Sequence, residues 1–330
     1  MFLAFADALA PFRQIISSSK SKASSKPTAY QTLESLAQDK GCQISYAADL
    51  CLQLTKGLAN SGDVHLVQGA AKSASRDANA NWQMSFKDGE ETTSAPMLVL
   101  CTGAHPKAPK LPEQYPNLTP LDLDTALSPT KLAAYFADTS KPTSVALIGA
   151  SHSAILVLRN LYELASGLHP NLSVKWFSRH PLRYAEDKGD WILRDNTGLK
   201  GETAIWAKAN LEPEVWSKSE VSKYVQAIDC KSDESGQYAT HLPACTSIVE
   251  AVGFDKNNMP ELSIEQNKVQ VVYDNVNGGF KDDKGNVVKG LYGAGIAFPE
   301  RVKDPYGNVE YAVGMWKFMK YLRRVVPAWT

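Results

Sequence analysis

One stretch constrains the fold more than any other: VALIGASHSAILVLRNL, residues 145–161. Four apolar residues, Val145 to Ile148, form a strand that runs into Gly149, and Ala150 to Ser153 make a turn of small residues. Ala154 opens a helix whose apolar face is Ile155, Leu156, Leu158 and Leu161, and LSVKWFS supplies the next strand. Strand, tight turn, long helix and strand make one βαβ unit, which places the chain in the α/β class. The turn, Gly149-Ala150-Ser151-His152-Ser153-Ala154, falls on the pattern G-x-G-x-x-G/A. Backbone N–H groups at such a helix N-terminus favour a pyrophosphate. Ser151 replaces the middle glycine, so a Cβ crowds that group while the hydroxyl can donate to it. Two readings stay open: a nucleotide turn, and a βα turn that binds no phosphate.

The second strand ends VKWFSRHPLR, with Ser178, Arg179 and His180 about thirty residues past Gly149. An acid here accepts from the 2′-hydroxyl of NAD, whereas hydroxyl and basic groups suit the 2′-phosphate of NADP. The alternative is that Arg179 and Arg183 belong to a solvated face. Two further strands end in glycine: LVLCTGAHPKAP at Thr102-Gly103 and TSIVEAVGF at Val252-Gly253-Phe254. Glycine there permits positive φ or close approach of backbone to a ligand. A fourth segment, GLYGAGIAFPE, carries Gly293-Ala294-Gly295 and Ile296 ahead of a helix expected at 310–325. In that helix Met315, Phe318, Leu322 and Val325 fall at the spacing of a core face.

Elsewhere the text reads as strands in ISYAADLCLQLTKG, DVHLVQGAAKSAS and PMLVLCTG, with a hairpin in NWQMSFKDGEETTSA. Helices are expected at 29–40, in ETAIWAKAN and in EVSKYVQAI, and strands in KVQVVYD and GLYGAGIA. The N-terminal MFLAFADALAPF reads as helix, followed by a Ser/Lys-rich segment. That front end is short of the arginines of a mitochondrial transit peptide, so a cytoplasmic location is expected, with a mitochondrial one as the alternative.

Composition excludes several classes. The 35 Lys+Arg balance 35 Asp+Glu, leaving no electrostatic footprint for nucleic acid or an anionic membrane. No apolar run reaches the ~18 residues of a membrane span. Five cysteines without a CxxC pair argue against a disulfide framework, dithiol chemistry or a zinc ribbon. The six histidines are dispersed, so no metal site is expected, and neither G-x-S-x-G nor GK[ST] occurs. His152 could touch a cofactor or serve as a cap. No catalytic acid or base stands out.

The order of these motifs resembles the pyridine nucleotide-disulfide oxidoreductase-like superfamily. Within it, the chain is most similar to the branch of flavin-containing and N-hydroxylating (lysine/ornithine-type) monooxygenases. The resemblance implies two nested Rossmann-like dinucleotide-binding domains: an FAD-type domain split over 1–125 and 256–330, and an NAD(P)H-binding domain at 126–255. It implies the NADPH fingerprint at Gly149 to Ala154 and the 2′-phosphate contact at Arg179, beside Ser178, with crossovers at Thr102-Gly103 and Ala251-Val252-Gly253. The flavin edge then falls at Gly293 to Phe298, with Gly293, Gly295 and Ile296 as its cofactor-binding residues, and the cofactors are NADPH and FAD. A small-molecule substrate is expected, and a homodimer is left open.

The chain departs from the pattern twice. The hydrophobic-Gly-His-Trp/Tyr signature is not visible between Pro106 and Ser144, and no strand with a glycine-rich turn precedes Gly41. The FAD-type domain is therefore expected to be incomplete. Three explanations follow: a longer enzyme of which this is a truncated version, a different pairing of the strands, or a partner chain supplying the unit. A flavin-free NADP-binding or scaffold protein is the alternative function.

Overall fold

A computed structural model describes residues 27–37, 44–87 and 93–330. The N-terminal helix expected before residue 17, and Cys42, lie outside them. The chain divides into two units: Met1–Gly103 with Lys256–Thr330, and Ala104–Asp255 inserted between those segments. The α/β class and the nesting follow the motif order. The first boundary falls at Gly103 rather than at 125, because residues 104–125 pack within the inserted unit. There Thr119 and Pro120 pair with Ser247 and Ile248, and the Lys110 and Leu111 N–H groups both donate to the Glu250 carboxylate at 2.9 Å.

The inserted unit is built on five strands: β1 Thr119–Pro120, β2 Thr143–Ile148, β3 Leu172–Ser178, β4 Val225–Asp229 and β5 Ser247–Glu250. All pairings are parallel and the order is β4-β3-β2-β5-β1. Counted from β2, that is the 3-2-1-4 arrangement of a dinucleotide-binding half. The helices that matter for the site are α1 His152–Ser166, α2 Gly201–Asn210 and α3 Glu234–His241.

The reason for a parallel sheet lies in β2. Val145 and Leu147 join one apolar cluster with Ile155, Leu158 and Leu161 of α1, while Ala146 and Ile148 join another with Phe177, Ile228 and Ile248. A strand apolar on both faces needs cover on both, which crossover helices provide. Helix α1 buries Val157, whereas Leu156, expected on its core face, is only half-buried. Each fully buried leucine contributes about 1.5–3 kcal/mol. EVSKYVQAI, expected as helix, is a short 3-10 turn followed by β4. Val221, Val225 and Ile228 have helical spacing, but pairing along β3 overrides it.

The first unit holds two larger sheets. One runs Asn267–Lys268, Glu261–Ile264, Ala71–Arg76, Trp82–Phe86, Thr93–Ala95. The last two form the expected hairpin. The other runs Val271–Tyr273, Gly279–Asp282, Val287–Gly293, Leu98–Leu100, with Leu98–Leu100 parallel to Leu291, Tyr292 and Gly293.

Three expectations fail in this unit. ISYAADLCLQLTKG is the helix Ile44–Ala59, not a strand. Leu50 and Leu33 of the neighbouring Ala29–Ser35 helix form its core with Tyr46 and Leu54, at four-residue spacing, and Leu52 is left exposed. In DVHLVQGAAKSAS only Ala71–Arg76 is strand, and Val64 and Leu66 are exposed. The final helix spans Met315–Val325, preceded by the strand Val309–Ala312 paired with Glu300–Lys303. Tyr321 and Val325 are its buried residues, while Met315 is exposed.

Candidate functional site

In an open parallel sheet ligands gather at the carboxyl ends of the strands. In the inserted unit that edge collects Gly149 after β2, Ser178 and Arg179 at β3, Glu234 beyond β4, and Ala251 to Gly253 after β5. Gly149 sits at φ +128°, and a Cβ there would meet the Ala251 carbonyl oxygen at 2.6 Å and Ala154 Cβ at 3.3 Å. Its N–H donates to Phe177 O at 3.0 Å, and its own carbonyl accepts from the Trp176 indole N–H at 2.7 Å. Backbone is thereby threaded between two strands where no side chain fits. Trp176 carries no motif signal, so its part in fixing the turn was not legible beforehand.

Ala150 and Ser151 lead into α1, with Ser151 at the N-cap, and the serine side chain makes no capping bond. His152, Ser153 and Ala154 form the first turn, Ala154 fully buried. The His152 Nε2 lies 3.4 Å from the Thr203 hydroxyl in the first turn of α2, so the two helix N-termini meet here. Lys200, at the N-cap of α2, is paired with Asp195 at 3.0 Å. Two helix N-termini make this corner favourable for an anion, with the Lys200 ammonium shared with the Asp195 carboxylate.

Although His152 as a residue is exposed, partial desolvation of its ring, together with the Lys200 charge, lowers its pKa below the usual 6.5. The folded state thus favours the neutral imidazole. Its linked contribution to stability is present above about pH 6.5 and declines as pH falls through the lowered pKa. His152→Gln is expected to flatten the fall of Tm between about pH 7 and 5, as checked by thermal melts across that range. An unchanged slope would assign the acid sensitivity to other groups.

Ser178 ends β3, and the Arg179 guanidinium beyond it pairs with Glu234 at 3.7 Å. Gly253 has φ +112°, and its carbonyl accepts from the Lys107 N–H at 3.1 Å. In the first unit, Thr102 and Gly103 follow Leu98–Leu100, and Gly293 ends the parallel partner, so both lie at the same end of that pair. Asn257 holds the crossover: its side-chain amide donates to Thr102 O at 2.8 Å and its N–H to Gly103 O at 3.0 Å.

The 293–298 segment is tied down by Ala294 N–H to Leu100 O at 3.0 Å and Phe298 N–H to Gly295 O at 3.1 Å. The Tyr273 hydroxyl donates to Phe298 O at 2.8 Å and lies 3.2 Å from the Tyr321 hydroxyl. Burial, and Tyr321 beside it, push the Tyr273 phenol well above its usual range, so it remains a donor. Gly295 (φ +79°) has open space around it, and Ile296 is exposed. The Met315–Val325 helix starts at Gly314, with no side-chain cap on its N-terminus.

The structure therefore groups Gly149 to Ala154 with Ser178 and Arg179, and separately groups Thr102, Gly103, Gly293, Gly295 and Ile296. Gly253 belongs to the inserted unit. Among the described residues, no group of His, Cys, Asp or Glu side chains could hold a metal ion, and no helix is long and apolar enough to cross a membrane.

No family model matches the chain. Among solved structures it is similar to an NAD-dependent persulfide reductase from A. fulgidus, at 12% identity and TM-score 0.39 over 75% of this chain. It spans only 41% of that structure's length. It is also similar to a thioredoxin reductase from Lactococcus lactis, at 13% identity and TM-score 0.39, covering 85% of this chain and 80% of the other. Likenesses at this level carry no argument, and the fold rests on the strand order described above. A curated relative, "Monooxygenase AgnR1" of Paecilomyces divaricatus, is 46% identical over 335 aligned residues, covering all of this chain and 84% of its own length. At that identity and coverage, the chain belongs to the family of monooxygenases that this relative represents.

Proposed function

We propose that the chain is an FAD/NADPH-dependent oxidoreductase of monooxygenase type acting on a small organic molecule, with NADPH bound at the carboxyl edge of the inserted unit's sheet. The observation that carries the dinucleotide site is Gly149: positive φ and backbone 2.6 Å from where its Cβ would stand, between the first strand of a 3-2-1-4 sheet and a helix N-terminus. Such a cradle fits a pyrophosphate. Backbone N–H groups of 151–154, the Ser151 hydroxyl and the Lys200 charge would hold it, and Ser178 and Arg179 would meet the 2′-phosphate. NADPH supplies a hydride when bound. The chain's own part is to orient the dinucleotide and neutralise its phosphates.

For a flavin, the described residues of the first unit offer the 293–298 backbone and the helix start at Gly314. No strand of a parallel pair there leads through a glycine turn into a helix, so they supply no cradle for the FAD pyrophosphate. No step is assigned to the flavin. This same observation favours a second function, an NADP-binding protein without flavin turnover. Purified full-length chain separates the two. A yellow preparation whose flavin band bleaches under NADPH supports the oxidoreductase, whereas a colourless one that binds NADPH and takes up no FAD supports the alternative.

Arg179→Ala is expected to weaken NADPH binding about tenfold, the cost of one charge-assisted hydrogen bond, and to spare NADH. Fluorescence titration with both nucleotides measures this. Equal loss for both would reject the 2′-phosphate assignment.

A further inference from the structure

The Arg179 guanidinium at the end of β3 is already engaged. Its Nε lies 3.7 Å from Glu234 Oε1 in the first turn of α3. The same oxygen accepts a 2.7 Å hydrogen bond from the Tyr238 hydroxyl one helical turn on. The Tyr238 ring packs edge-on against Phe177 of β3, with centroids 5.5 Å apart, which fixes the hydroxyl and through it the carboxylate. The corner is acidic beyond this pair. Burial, then the charges of Glu234 and Asp229, push the Cys230 thiol up to about 11. Nothing in the dinucleotide fingerprint calls for an acid facing Arg179 from the first turn of α3.

We propose that Glu234 is a specificity-determining residue: anchored by Tyr238, it competes with the 2′-phosphate of the dinucleotide for Arg179 and so narrows the preference for NADPH over NADH. The proposal rests on the 149–154 turn being the dinucleotide site. A 2′-phosphate reaching Arg179 must share the guanidinium with a carboxylate or displace it, and like charges repel throughout the approach. A 2′-hydroxyl meets no such penalty and can donate to the same carboxylate. Glu234 therefore sets the ratio of the two nucleotides rather than the affinity for both. With side chains 59% and 37% exposed, the Arg179–Glu234 pair is screened by solvent, and its release shifts affinity by about two- to fivefold.

The test uses the full chain and two probes that differ only in the group at issue, 2′,5′-ADP and 5′-ADP, titrated by calorimetry at low ionic strength. Glu234→Gln keeps an acceptor for Tyr238 and removes the charge. It should tighten 2′,5′-ADP about three- to fivefold and leave 5′-ADP within about twofold. In the Arg179→Ala background Glu234→Gln should still tighten 2′,5′-ADP, through the direct repulsion alone, by a factor different from that in the unaltered chain. An identical factor in both backgrounds would show that Glu234 acts without competing for Arg179 and would overturn the competition. If Glu234→Gln leaves 2′,5′-ADP unchanged or weaker while Arg179→Ala still loses it, the role of Glu234 is overturned and the dinucleotide site stands. If neither probe binds the unaltered chain, the dinucleotide site is overturned and the proposal with it.

Discussion

Replacing Gly149 by alanine should destabilise the inserted unit by about 3 kcal/mol and abolish dinucleotide binding, the sum of two independent costs. The backbone at φ +128° lies where side chains are rarely accommodated, and strain of that kind costs about 1–3 kcal/mol. The added methyl would also stand 2.6 Å from the Ala251 carbonyl, which is held just beyond β5 because Ala251 N–H donates to Ile148 O at 2.9 Å. Neither partner can yield without parting β2 from β5. Urea unfolding followed through tryptophan fluorescence measures the loss, since Trp176 reports directly on the turn through its bond to the Gly149 carbonyl. A change under about 1 kcal/mol would mean that the strands separate cheaply, and the case for a tight backbone cradle would go with it.

Phe280→Ala should cost the first unit about 3–5 kcal/mol, the range for truncating a fully buried aromatic ring. Phe280 is 1% exposed and completes a triad of rings with Tyr273 and Phe298, all centroid distances 5.1–5.3 Å. The cavity would open beneath the 293–298 segment, so the effect should reach beyond stability. Hydrogen exchange at the Ala294 and Phe298 amides is expected to accelerate, while the amide of Leu147 in the inserted unit keeps its protection. Equal acceleration at both places would show the two units to unfold as one. Tyr273→Phe, which keeps the ring and loses the hydroxyl, separates packing from the hydrogen bond to Phe298.

What could be read beforehand follows from which elements carry their own signal. The 143–178 strand, helix and strand were legible because both faces of β2 are apolar and a glycine stands at its end. Leu50, Leu52 and Leu54 misled, since alternate leucines mimic a strand. The helix is set by Tyr46, Leu50 and Leu54 packing on Leu33, a contact that the local pattern does not display. Val221, Val225 and Ile228 misled in the opposite sense. Glycines 103, 149, 253 and 295 do adopt positive φ, as residues at strand ends with no Cβ can. Trp176, Lys200, Thr203 and Glu234 were missed, because their contribution depends on sheet order and helix entry points fixed only by tertiary pairing.

The insertion has a consequence for how the chain is made. The Ala104–Asp255 unit is continuous in sequence, and all five strands of its sheet lie within it. During synthesis from the N-terminus it can reach its final form as soon as β5 has emerged. The flanking unit must wait. Ser73 to Arg76 pair with residues 261–264, and Leu98 to Leu100 with residues 291–293, so these partners appear only after the whole insertion. Until then Leu98 and Leu100, both buried in the finished unit, are held open with an unpaired strand edge. Closing the loop costs less once its interior is folded, because a compact insertion brings its ends nearer than a free chain of equal length. The order of translation thus lets the inserted unit fold first and makes the flanking unit the late, aggregation-sensitive one.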